Sequence, residues 1–287
     1  MNLIKKLTNQ NWFFVLYTFH FLLYTRSMTW GAKRQLTILG LITILIIGGL
    51  AVVIVPKLSK PPTCFDNKKN GSEHGVDCGG LCARFCPFEV SDVKVKWARS
   101  FPITDDVYSA VAYIENQNVN AGAYNIKYEF KLYDEDHKFI TVRDGETFIG
   151  PNSNSAIYES AIKVQNRVPK FTQFTFLADP VWIMTDRRIG DLGVFSKNEV
   201  LSDTDTKPKY EATIYNQSQL YTIDNIDVIA ILYDKDDNAI GVAKSFIEEL
   251  TPSAETNVYF TWQKPFLGEV VRKEIIPRYN PFKVSFQ

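Results

Sequence analysis

Between Cys64 and Cys78 the chain places four oxygen-bearing side chains, Asp66, Asn70, Glu73 and Asp77, in a loop that also carries Gly71 and Gly75. Hard oxygen donors in a glycine-rich loop are what Ca²⁺ requires. The spacing departs from an EF-hand, with no 1-3-5 run of oxygens and no Glu at position 12. The competing expectation is that these residues build turns, the ordinary work of Asp, Asn and Gly in tight loops. The cysteines Cys64, Cys78, Cys82 and Cys86 offer a second chemistry. Their C-x13-C-x3-C-x3-C spacing lacks the paired C-x2-C knuckles of common zinc sites. An even, clustered set in an exported position pairs instead as two disulfides, and three connectivities stay open.

Other chemistry is thin. Asp134, Asp136, Asp234, Asp236 and Asp237 gather after two Leu-Tyr-Asp triplets. A cation would fit there, but hairpin turns use Asp because its side chain caps nearby backbone groups. Tyr133 and Tyr233 read as half-buried residues at strand ends. The three histidines, His20, His74 and His137, sit in no Gly-x-Ser-x-Gly, His-Glu-x-x-His or phosphate-loop context. Carboxylate pairs of the glycosidase kind converge only in a fold. The expectation is a protein without catalytic activity and, beyond Ca²⁺, without a cofactor. Trp97, Trp182 and Trp262 are expected to fill cores or a seam between domains; an exposed one beside tyrosines would make a sugar- or peptide-binding surface.

The element that positions all of this is Leu36–Val55, twenty residues without a charge. A helix of that length crosses a hydrocarbon layer of roughly 30 Å. It is too long for a cleaved signal peptide and lacks a small-x-small cleavage pattern, so it reads as a single anchor. Residues 1–60 hold no Asp or Glu, and Lys5, Lys6, Arg26, Lys33 and Arg34 precede the run while only Lys57 and Lys60 closely follow it. That bias keeps the N-terminus cytoplasmic and sends the remainder outside. The aromatic stretch Trp12–Tyr24 is too short to span; a start at Met28 would leave the compact basic flank of a signal anchor and make residues 1–27 an extension of the gene. The sequence therefore divides into a basic N-terminus (1–35), a membrane helix (36–55), a proline-containing spacer (56–63), a cysteine-rich module (64–87) and two β domains (88–185 and 186–287). A formal net charge of zero, with no basic block, gives no reason to expect nucleic acid.

The cysteine module is too small and polar to bury a core, so its cross-links must supply stability of roughly 2–4 kcal/mol each. Its glycines Gly71, Gly75, Gly79 and Gly80 are expected at positive φ. From Phe88 onward short β-type segments alternate with Asn, Asp, Gly and Pro. A shift of 100 residues aligns Ser109–Val142 with Lys209–Val242 without a gap: AYIENQ meets ATIYNQ, and NIKYEFKLYDEDHKFI meets NIDVIAILYDKDDNAI. A period of that size marks a duplicated domain. The fold class is therefore mainly β, with two tandem sandwiches of immunoglobulin-like character.

FKLYD at 130–134 and AILYD at 230–234 resemble the signature of FxLYD-type domains, β-sandwich modules of bacterial envelope proteins. The second copy carries Ala230 where the signature has Phe. The C-x-D-x3-N-x2-E-x-G-V-D-C-G-G-x-C-x3-C layout likewise resembles a cysteine-rich segment of secreted and membrane-anchored bacterial proteins. These resemblances imply architecture and location and carry no activity. The expected function is extracytoplasmic binding or scaffolding, with the membrane, other envelope proteins or cell-surface polymers as partners. The rival expectations are a carbohydrate-recognising or glycan-processing protein, and an accessory subunit of a secretion or pilus-like complex whose helix pairs through Gly40, Gly48 and Gly49.

Overall fold

The computed structural model describes residues 29–58, 63–185, 193–283 and 285–286. The aromatic stretch at 12–24 and Met28 lie outside the described residues. The chain divides into two units, one ending at Pro62 and the other starting at Thr63.

In the first unit, helix α1 (Trp30–Leu58) contains the whole charge-free run. Its segment Trp30–Val53 is long and apolar enough to cross a membrane, a property that anchors and signal sequences share. The helix takes in Pro56 and so reaches into the expected spacer. Proline's fixed φ is compatible with helix, and near a terminus it forfeits only one ladder bond.

Among its described residues the second unit has fourteen strands. The first seven are β1 (Lys94–Pro102), β2 (Val107–Asn116), β3 (Ala121–Tyr133), β4 (Phe139–Ile149), β5 (Ser153–Lys163), β6 (Phe171–Phe176) and β7 (Ile183–Met184). The next seven are β8 (Val194–Ser202), β9 (Lys209–Asn216), β10 (Tyr221–Tyr233), β11 (Ala239–Leu250), β12 (Glu255–Thr261), β13 (Arg272–Arg278) and β14 (Ser285–Phe286). Each set forms two antiparallel sheets. In the first copy these are β1-β2-β5 and β4-β3-β6, with β7 on the start of β3; in the second they are β8-β9-β12 and β11-β10-β13, with β14 on the start of β10. The 100-residue offset seen over 34 residues of sequence thus extends to whole β-sandwiches: β1 begins at Lys94 and β8 at Val194, with the same pairing order in each.

Three cores separate the four sheets. Between the sheets of the first copy lie Ile114, Ile126, Phe130, Leu132 and Ile157, and between those of the second lie Tyr210, Ile214, Ile226, Leu232 and Phe260. The third core is a seam between the copies. Val111 and Ala156 from β2 and β5 meet Ile229, Ile231, Tyr233, Val242 and Ile276 from β10, β11 and β13. Each copy gives a different sheet to this seam. Strand periodicity follows from it, because successive side chains face opposite ways. In β3, half-exposed Glu129 and Lys131 alternate with buried Tyr128, Phe130 and Leu132. In β10 the whole run from Val228 to Tyr233 is buried, since both faces of that strand are covered.

Ala230 also finds its reason here. The first copy pairs a small residue on β2, Ala110, with a large one on β3, Phe130; the second has Tyr210 on β9 and Ala230 on β10. All four are fully buried. The bulk is supplied from the opposite sheet, so that core volume is kept while the residues change.

Candidate functional site

The cysteine module closes through Cys64–Cys82 and Cys78–Cys86. With every sulfur bonded, none of the four is a thiolate available to zinc. Gly71, Gly79 and Gly80 take positive φ as expected, whereas Gly75 does not and is selected for room. A Cβ on Gly75 would come within 2.7 Å of Cys78 Sγ and 2.9 Å of Cys86 Sγ. At Gly80 the demand is doubled, since φ is +64° and a Cβ would fall 1.8 Å from the carbonyl oxygen of Ser72.

The four oxygen-bearing residues are brought together, and the carboxylates of Asp66, Glu73 and Asp77 accept from the loop's own donors. Asp77 Oδ1 and Oδ2 accept the backbone N–H groups of Asp66 and Asn67 at 2.9 Å each. Asp66 accepts the N–H of Lys68 at 3.0 Å and the side-chain amide of Asn70 at 2.8 Å. Glu73 Oε2 accepts the N–H of Asn70 at 3.2 Å, and its Oε1 lies 3.6 Å from the sulfur of Cys82. Asn70 Oδ1 is buried without a hydrogen-bond partner among the described residues. On the other side of the module, Glu89 bonds His74 Nδ1 and accepts the N–H of Cys86 at 2.8 Å. These hydrogen bonds, that from His74 foremost, hold the Glu89 carboxyl below its ordinary value.

The module is fastened to the first sandwich through backbone bonds. Phe85 N–H donates to Trp182 O at 3.0 Å and Met184 N–H to Ala83 O at 2.6 Å, while Phe85, Val90 and Val93 pack on the first core. Trp182 belongs to that core, Trp97 stacks on Tyr113 at the seam with centroids 5.6 Å apart, and Trp262 packs on the second core. All three tryptophans therefore fill interior or seam positions.

The Leu-Tyr-Asp triplets resolve into matching hairpin turns. Asp134 Oδ1 accepts the N–H groups of Asp136 at 3.1 Å and Lys138 at 2.8 Å; Asp234 Oδ1 accepts those of Asp236 at 2.9 Å and Asn238 at 2.8 Å. Both carboxyls are held below the ordinary carboxylate value, Asp134 chiefly by Arg167 and Asp234 chiefly by the Asn238 N–H. His137 and Asp237 occupy the same left-handed position in the two turns, with φ of 58° and 60°. His137 stacks on Phe171 at 4.1 Å. Tyr133 is half-buried as expected, but Tyr233 is 2% exposed because the seam covers it.

Sequence reading missed the polar residues of that seam. Glu274 accepts the hydroxyl of Tyr113, from the other copy, at 2.7 Å and that of Tyr233 at 2.9 Å. Burial first, with the Glu274 carboxylate beside them, raises both phenols above their ordinary value. Arg272 lies 3.5 Å over the Tyr233 ring and binds Asp237. Arg278 crosses from β13 to the first copy, donating to Ser155 Oγ at 3.0 Å, Phe148 O at 2.9 Å and the hydroxyl of Thr147. Burial pushes Arg278 down to about 10, which leaves it charged at neutral pH. The signal for the seam was the unbroken apolar run of β10 beside the alternation of β3.

No family model matches the chain, and no curated protein matches it. Among solved structures it is similar to red sea bream transglutaminase, at 7% identity and a TM-score of 0.22, over 66% of this chain and 29% of that one. A likeness at that level carries nothing about function.

Proposed function

We propose that this is a membrane-anchored, extracytoplasmic binding or scaffold protein without catalytic activity, in which two FxLYD-like sandwiches act as one rigid unit. The observation that carries the reading is the seam, an apolar core ringed by the Tyr113–Glu274–Tyr233 bonds and by Arg278. Loose tandem domains keep polar, mobile interfaces, whereas this one resembles a domain interior. A rigid unit holds its loops and edges in fixed relation, as a recognition surface requires. The carboxylates and histidines of the module and turns are engaged in shaping loops, which fits a protein whose work is presentation. α1 supplies the anchor, and the disulfides suit an oxidising exterior.

Protease shaving of intact cells tests the location. Digestion of residues 63–287 without permeabilisation is expected. Digestion only after permeabilisation would contradict it.

A further inference from the structure

We propose that a cleft of about 420 Å³ between the two copies binds a saccharide, one or a few sugar units of a larger glycan. The inference rests on the reading of the tandem sandwiches as a rigid binding unit and names its ligand class.

The cleft is made by one repeated feature used twice. In β3 the ladder to β4 loses register after the first residues, where Ala123 pairs Ile149 and the next pair is Ile126 with Thr147; in β10 the register to β11 is kept, with Asn225 standing between the pairs Asp224–Glu249 and Ile226–Ile247. Asn125 and Asn225 occupy these matching positions, both in the left-handed region with φ of 55° and 54°, and both line the same cleft. A register irregularity such as that in β3 redirects side chains and recurs beside functional sites. The seam brings the two asparagines to one place.

The lining specifies the ligand by its hydrogen-bonding. Asn125 and Asn225 offer amides that both donate and accept, Asn280 adds a further amide, and Glu146 from the first copy and Asp224 from the second offer carboxylates that accept. Asn280 Oδ1 already accepts the N–H of Phe282 at 3.0 Å, which leaves its NH₂ to donate. A ligand filling this cleft must carry many groups that are donor and acceptor at once, which is the chemistry of vicinal hydroxyls. Two carboxylates against Lys283 disfavour an anion. The polar lining does not suit an apolar peptide or lipid. Phe148 adds an aromatic wall, held by the Arg278 guanidinium 4.3 Å from its ring centroid. The segment that closes the far side is seated by Phe282 against Tyr124, with centroids 5.3 Å apart. The volume lies within the roughly 300–1,000 Å³ of small-molecule sites.

The test is binding of the full chain, in detergent, to an array of immobilised neutral and N-acetylated oligosaccharides. Two variants accompany it. Asn225→Gly removes an amide and keeps the left-handed backbone, and Glu146→Gln removes a charge from an exposed position; circular dichroism confirms that both fold. The wild type is expected to retain a subset of the oligosaccharides, and each variant to weaken that retention about tenfold, the worth of one lost hydrogen bond to a charged or well-aligned group. No retention by the wild type, or equal retention by folded variants, overturns the proposal. Protease accessibility does not depend on the cleft, so a silent array with digested surface domains removes the saccharide reading alone.

Discussion

Asn116 and Asn216, 100 residues apart, do the same work in the two copies. Asn116 donates from its amide to Ala121 O at 2.8 Å and Gly150 O at 2.7 Å; Asn216 donates to Tyr221 O at 2.8 Å and Leu250 O at 3.0 Å. Each accepts, at 3.0 Å, the N–H two residues on. The buried amide ties the end of one strand to the start of the next and to the end of the following hairpin. Replacing either by Ala leaves buried carbonyls unpaired and is expected to cost about 1–3 kcal/mol, similarly for the two sites. Urea denaturation of residues 63–287, which hold all three cores, measures it.

The exchange of bulk between Phe130 and Tyr210 predicts a compensating pair. Ala230→Phe alone overpacks the second core by about 1–3 kcal/mol, and Tyr210→Ala alone leaves a cavity costing about 3–5 kcal/mol. The double variant is expected to be more stable than the sum predicts, though short of wild type because the Tyr210 hydroxyl bonds Glu199. Strict additivity in the mutant cycle would contradict the exchange.

In the cysteine module the loop carboxylates cap backbone N–H groups, so the module is expected to hold without a cation. Thermal unfolding should show the same midpoint in excess EDTA and in millimolar Ca²⁺. A calcium-dependent rise in the midpoint, lost in Asp77→Asn, would restore the cation reading of Asp66, Asn70, Glu73 and Asp77.

Gly80→Ala is expected to prevent native closure, because backbone and not a movable side chain blocks the added methyl. Peptide mapping after alkylation should find free or mispaired thiols in place of Cys64–Cys82 and Cys78–Cys86.

Acid should destabilise the second unit through its turn and cap carboxylates. Glu89, Asp134 and Asp234 all have folded values below their unfolded ones. Their contribution is present above the unfolded range near pH 4 and is lost as pH falls through the lower folded values. The denaturation midpoint should therefore drop below about pH 4, and Asp134→Asn with Asp234→Asn should flatten that drop. A midpoint that rises with acid would refute the sign.

Much of this was legible from local pattern. Alternation over β3, the Asp that ends each Leu-Tyr-Asp triplet and the charge-free run all report on near neighbours, and the structure places them as a strand, turn caps and α1. The seam was not legible, because it joins residues as far apart as Tyr113 and Glu274 and draws its polar members from VRKEIIPR, a stretch that reads as solvated surface. The apolar run VIAILY marked a strand covered on both faces, but pairing it with a particular sheet of the other copy needed the fold. Cysteine connectivity and the role of Gly75 likewise depend on how the loop closes in space.

Calorimetry of residues 63–287 tests most directly the claim that the two copies form one unit. A single transition with equal calorimetric and van't Hoff enthalpies is predicted, splitting in two when Ile231→Asp puts a charge into the seam. Two independent transitions in the wild type would contradict the account.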